Sequence, residues 1–229
     1  MSKGKRFGRD IPIFPAIRTS EELIGYCERL YQKAGDYANR VNEFYPDVNA
    51  FIMMRNFLLL TKELLQYHRL HWKTEKQETL RGDDLEWIIT ITRWDFIASV
   101  SIAEYTMKEI IKRRKPKGFD KITDRLLNWK RSSLYNIIET SKAVLVMDDW
   151  EYDSWNLLRE IRNASVHNNV IMDIDKSYTV DGFTIAFKRG EGLVSKLGLY
   201  LYLLGLLLIV YETWFERLLE RDTDCALTD

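Results

Sequence analysis

From Leu197 to Tyr211 the chain runs fifteen residues without a charge. Such a stretch must be hidden from water, and it limits what can be built around it. A membrane-spanning helix needs about twenty apolar residues, which this run does not reach. Tyr200 and Tyr202 lie inside it, and Glu212, Glu216 and Arg217 follow directly. The run predicts a helix from about Gly192 to Arg221, buried in a bundle or against a second copy. A membrane anchor is the alternative reading. Only four prolines occur, so other long helices can form to surround it.

Apolar periodicity supplies those helices. Thr19 or Ser20 can cap a first helix, with Glu21 and Glu22 in its first turn and Pro46 beyond its end. A second, from about Asp47 to Trp72, sets Phe51, Met54, Leu58, Thr61 and Leu65 on one face. A third starts near Asp83, with Glu86 three residues on, and runs to Arg114. Trp87, Ile91, Trp94, Ala98 and Ser101 form one stripe. Ile88, Ile97, Ile102 and Tyr105 widen it, as in a helix touched on several sides. A fourth is expected from Asp120 to Val146, burying Leu134, Ile137, Ile138 and the Ala143–Val146 run. Asp148 and Asp149 open a fifth. Tyr178 and Val180, then Asp181-Gly182, then Phe183, Ile185 and Phe187 read as a two-residue β-hairpin. The expected fold is mostly α, about six helices with one small hairpin near 176–188.

Length and composition bound the function. At 229 residues the chain suits a single domain, here 19–229, behind a flexible basic arm at 1–18. Net charge is zero, so there is no basic coat for nucleic acid, and any such contact needs a local patch. Lys112, Arg113, Arg114, Lys115 and Lys117 offer one, although cations also suit a helix C-terminus stopped by Pro116 and Gly118. Two cysteines, Cys27 and Cys225, match no metal spacing and favour a reducing cytoplasm. No apolar signal segment follows the basic start. His68 and His71 lie three apart near a helix end and lack a third ligand, so no metal site or cofactor is expected.

The chemistry concentrates at residues 155–169. Leu157, Leu158, Ile161 and Ala164 form an apolar stripe with Ser165 beside it. Arg159, Arg162, Asn163, Val166 and His167 fall on the other side. Asn168 and Asn169 suit the helix stop. Arg162-Asn163-x-x-x-His167 resembles the Arg-x4–6-His signature of HEPN domains, with a polar residue after the arginine and an aliphatic Leu-x-x-Ile lead. The resemblance covers roughly residues 80–215.

That resemblance implies a metal-independent RNA endonuclease acting as a homodimer, plausible as a toxin or phage-defence effector in the cytoplasm. Arg162 and His167 would be catalytic, Asn163 supporting, and Arg159 with the 112–117 cations would contact RNA. A nucleotidyltransferase-type antitoxin partner is compatible with it, but the tyrosine that some family toxins carry two positions after the histidine is Asn169 here. Non-catalytic HEPN modules are the alternative. Imidazole suits proton transfer near neutral pH, and guanidinium suits a phosphate. Five helical residues turn about 500°, so Arg162 and His167 project roughly 140° apart. A shared phosphate then requires a distorted helix or two copies facing each other.

Overall fold

The computed structural model describes residues 20–42, 49–72, 82–128, 132–167, 171–180, 183–190 and 198–226. Among the described residues are seven helices and one antiparallel strand pair. In order they are α1 (Ser20–Asn42), α2 (Ala50–Trp72), α3 (Gly82–Arg114), α4 (Asp120–Leu127), α5 (Leu134–Ala143), α6 (Asp149–His167), β1 (Lys176–Val180), β2 (Phe183–Phe187) and α7 (Leu199–Ala226). The arm 1–18, Lys130, Arg131, Asn168, Asn169, the Asp181-Gly182 pair and the side chains of His71, Asp83 and Cys225 lie outside the described residues.

The mostly helical expectation is met, with the hairpin where the alternation placed it. Val180 pairs with Phe183 and Lys176 with Phe187, the register of a two-residue connection. The hairpin packs on α6 and buries Tyr178, Val180 and Phe187, which answers the marginal stability of an isolated pair.

The uncharged run, from Gly198 on, leads into α7, which starts just after Gly198 at φ 84°. From Leu199 to Leu208 and again at Val210 and Tyr211, exposure is 6% or less wherever it is given. The Leu199–Glu220 segment is long and apolar enough to cross a membrane by composition, yet 83% of its apolar window is buried inside the protein. Helices α3, α1 and α6 supply most of that cover, with Phe51 of α2 set against Tyr211. α1 and α2 form an antiparallel pair, with the Cys27 thiol donating to the Leu58 carbonyl at 3.4 Å. α2 is antiparallel to α3, joined by Thr61 Oγ1 donating to Asp95 at 2.8 Å. α3 runs parallel to α7, with Phe96 against Tyr200 and Thr106 bonded to Tyr211 at 2.7 Å. Outside this four-helix layer, α6 packs on α3 and α7, and α5 on α6.

Two expectations fail locally. The fourth helix divides into α4 and α5, because Ser133 takes an extended conformation and its hydroxyl accepts the Asn136 N–H at 3.4 Å. A serine that caps a new helix competes with continuing the old one. The Ala143–Val146 run is not buried as a unit either. Leu145 adopts φ 63° in the turn after α5 and is 83% exposed, while Val146 reaches the core.

The third correction concerns α3. Its core face is Ile88, Phe96, Val100, Ala103, Met107 and Ile110. Of the predicted stripe, Trp94 is 61% exposed and Trp87, Ile91, Ala98 and Ser101 are half-buried; of the residues that widen it, Tyr105 is 60% exposed while Ile88 and Ile97 are buried. α3 therefore carries two apolar faces, of which the bundle covers one.

Candidate functional site

α6 is held at its start by a reciprocal capping box. The Asp148 N–H donates to Glu151 Oε2 at 2.8 Å, and the Glu151 N–H to Asp148 Oδ1 at 2.9 Å. Arg217 of α7 clamps both acids, at 2.6 Å to Glu151 and 3.3 Å to Asp148. Burial raises the Glu151 carboxyl above its ordinary range; the Asp148 N–H and Arg217 partly oppose that. Leu157, Leu158, Ile161 and Ala164 are all 2% exposed or less, as their spacing predicts. Trp155, Ser154 and Asn156 are buried too, so α6 sits deeper than its stripe suggested.

The remaining face carries the motif. Arg162 Nη1 donates to Asn163 Oδ1 at 3.1 Å, and its Nη2 lies 3.9 Å from Glu104 Oε2 of α3. Glu104 also binds Lys108 Nζ at 2.5 Å. Lys108, Glu104 and Arg162 thus form a half-buried row with net charge of one plus. The Arg162 Nε is buried without a protein partner, as is the nearby Ser165 hydroxyl. An unsatisfied donor on a charged group is costly in isolation, and Arg159 Nε shares that state; the Arg162 terminal nitrogens are the ones placed to meet an incoming oxygen. Asn163, expected as the supporting polar residue, gives its amide oxygen to Arg162.

α6 is a continuous helix through His167, which is exposed on its last turn. No distortion brings the imidazole round to Arg162, so the roughly 140° divergence stands. Within one chain the two cannot close on one phosphate. Arg159 is engaged elsewhere: its guanidinium lies 5.0 Å over the Tyr135 ring and pairs with Glu160.

The cation cluster ends α3. Arg113, Arg114, Lys115 and Lys117 are exposed, Lys112 is half-buried, and Arg113 pairs with Glu109 at 3.7 Å. Lys115 at φ 50° and Gly118 at φ 90° turn the chain, and the Lys115 N–H closes the helix onto the Ile111 carbonyl at 2.8 Å. α6 runs antiparallel to α3, because its start meets Arg217 while Arg162 meets Glu104. Lys112 is eight residues beyond Glu104, or about 12 Å along the axis, and His167 extends about 7.5 Å the other way. The structure therefore brings Arg162 and Asn163 together and strings His167 and the cations along opposite directions from them.

Glu104 and Lys108 were missed from the sequence. Their only signal was a Glu-to-Lys spacing of four, which many solvated helix faces share. His68 stacks edge-on against Trp87 at 4.3 Å, and among the described residues no cluster of three or more His, Cys, Asp or Glu could hold a metal. Compared with known proteins, the chain matches no family model, no curated protein and no solved structure.

Proposed function

We propose that the chain is a HEPN-type RNA endonuclease that cuts without a metal ion. The observation that supports this best is Arg162: half-buried, steadied by Asn163, with its Nε unbonded by protein, five residues before an exposed histidine on the same helix. Arg162 holds the scissile phosphate through its non-bridging oxygens and stabilises the charge that builds there. The ribose 2′-hydroxyl attacks phosphorus, the P–O5′ bond breaks, and a 2′,3′-cyclic phosphate and a 5′-hydroxyl result. The attacking hydroxyl gives up one proton and the leaving O5′ takes one. His167 is the group for one of these transfers, and a second imidazole for the other comes from a second copy. The divergence of Arg162 and His167 on one straight helix calls for that homodimer. The 112–117 cations carry flanking phosphates, and Arg159 serves chiefly to hold Tyr135. The setting that fits is a cytoplasmic toxin or phage-defence effector restrained by an antitoxin. Cleavage of single-stranded RNA in EDTA, lost in Arg162→Ala and in His167→Ala, tests the assignment.

A second reading has its own support. Arg162 already faces Glu104, the arrangement of a polar cluster that sets helix register in a non-catalytic HEPN module. Glu104→Gln separates the two. A phosphate-binding Arg162 gains RNA affinity when the competing acid is neutralised. A purely structural pair loses melting temperature and binds no RNA.

A further inference from the structure

We propose that the uncovered face shared by α2 and α3 is where a second copy of this chain docks. Met53, Leu60 and Tyr67 recur every seventh residue on α2 and are 42%, 55% and 62% exposed. Trp94 and Tyr105 on α3 are 61% and 60% exposed and eleven residues apart, which returns a helix to the same side. Met53 and Tyr105 line a common cavity of about 160 Å³ between the two helices, so the two rows adjoin. The half-buried Phe57 and Leu64 fill the α2 row.

The area suits a dimer. At about 150–250 Å² per aromatic side chain, the three exposed rings offer roughly 300–450 Å². Met53, Leu60, Phe57 and Leu64 bring the face toward the ~800 Å² that each side of a standard interface contributes. Monomers seldom leave a contiguous apolar patch beyond a few hundred Å².

The chemistry selects the occupant. Among the described residues, the cations of the α3 row lie toward one end, at Lys108, Lys112 and the cavity-lining Arg113, so a phosphate backbone laid along the face would meet little positive charge over most of its length. An antiparallel helix pair turned by a two-fold axis presents ridges to its own grooves, and each aromatic row meets an equivalent row. Glu104, next in sequence to Tyr105, faces Arg162, so the face borders the motif row and a seated copy would lie beside it. The docking itself does not depend on the nuclease reading.

Sedimentation velocity across a concentration series tests it, with no cleavage assay involved. Wild type should approach twice 27.2 kDa. Trp94→Glu, Tyr105→Glu and Leu60→Glu, each checked for wild-type helicity and melting, should weaken self-association about a hundredfold, the size of a central interface anchor. Val166→Glu, on the motif face, should leave the mass doubled. Three results would overturn the proposal. One is a wild type that stays monomeric at high concentration. Another is a dimer broken by Val166→Glu and untouched by the three α2 and α3 changes. The third is a monomer that loses binding to a poly-uridine oligomer or to phosphatidylcholine vesicles in Trp94→Glu, which assigns the face to that ligand.

Discussion

Arg162 and His167 bear the chemistry proposed here, and neither fills the core. Arg162→Ala and His167→Ala should each reduce cleavage by at least two orders of magnitude, the scale of a lost proton-transfer or charge-stabilising group. His167→Ala should melt near wild type, since the imidazole is exposed. Products should end in 2′,3′-cyclic phosphate, and a 2′-deoxy nucleotide at the cut should block cleavage there. Wild-type rates from His167→Ala would falsify the assignment. Asn163→Ala should weaken RNA binding more than proton transfer, because its oxygen steadies Arg162. The pair of motif residues was legible from spacing. Glu104 was not, because it comes from α3, 58 residues before Arg162 in a chain whose helix packing had to be known first.

α6 depends on its cap. Glu151→Ala removes the acceptor for the Asp148 N–H and a partner of Arg217. It should cost about 2 kcal/mol in urea denaturation, between a cap and a charged hydrogen bond. A loss near zero would show that α6 is held by its apolar stripe alone. At the other end of the site, neutralising Arg113 and Arg114 together should flatten the salt dependence of RNA binding by about two phosphate contacts. An unchanged slope returns the cluster to ending α3. The sequence marked both segments, because caps and helix stops are local chemistry. It misassigned the apolar stripe of α3, because periodicity reports that a face is apolar and not whether the same chain covers it.

Two buried acids give the folded chain a pH response. Asp95, between Thr61 and Ser99, is pushed up to about 7 by burial, against the two hydroxyl hydrogen bonds. Glu212, packed between Tyr37 and Arg40, is also pushed up to about 7 by burial. In the unfolded chain both ionise near 4. Between pH ~4 and ~7 the unfolded chain has released protons that the folded one keeps. Stability therefore falls as pH rises through that window and levels off above it. Asp95→Asn should flatten the fall and raise the melting temperature at pH 8, with Thr61 and Ser99 rotating to meet the amide. A melting profile that rises from pH 4 to 7 in wild type and is unaltered in Asp95→Asn would remove this account.

Spacing and local chemistry were enough for the helical class, the hairpin and its register, the capped start of α6, and which residues lie off the apolar stripe of α6. Each follows from spacing within one segment. The sequence also required that Leu197–Tyr211 be hidden, because fifteen uncharged residues leave no polar side to wet. What hides them is a matter of packing between helices. α1, α3 and α6 enclose α7 within one chain, so α7 is not the surface that a second copy would use. Packing likewise placed Glu104 beside Arg162, turned Trp94 and Tyr105 outward, and left α6 a continuous helix through His167. These are matters of which helix lies beside which, settled by the sum of many apolar contacts rather than by any local pattern.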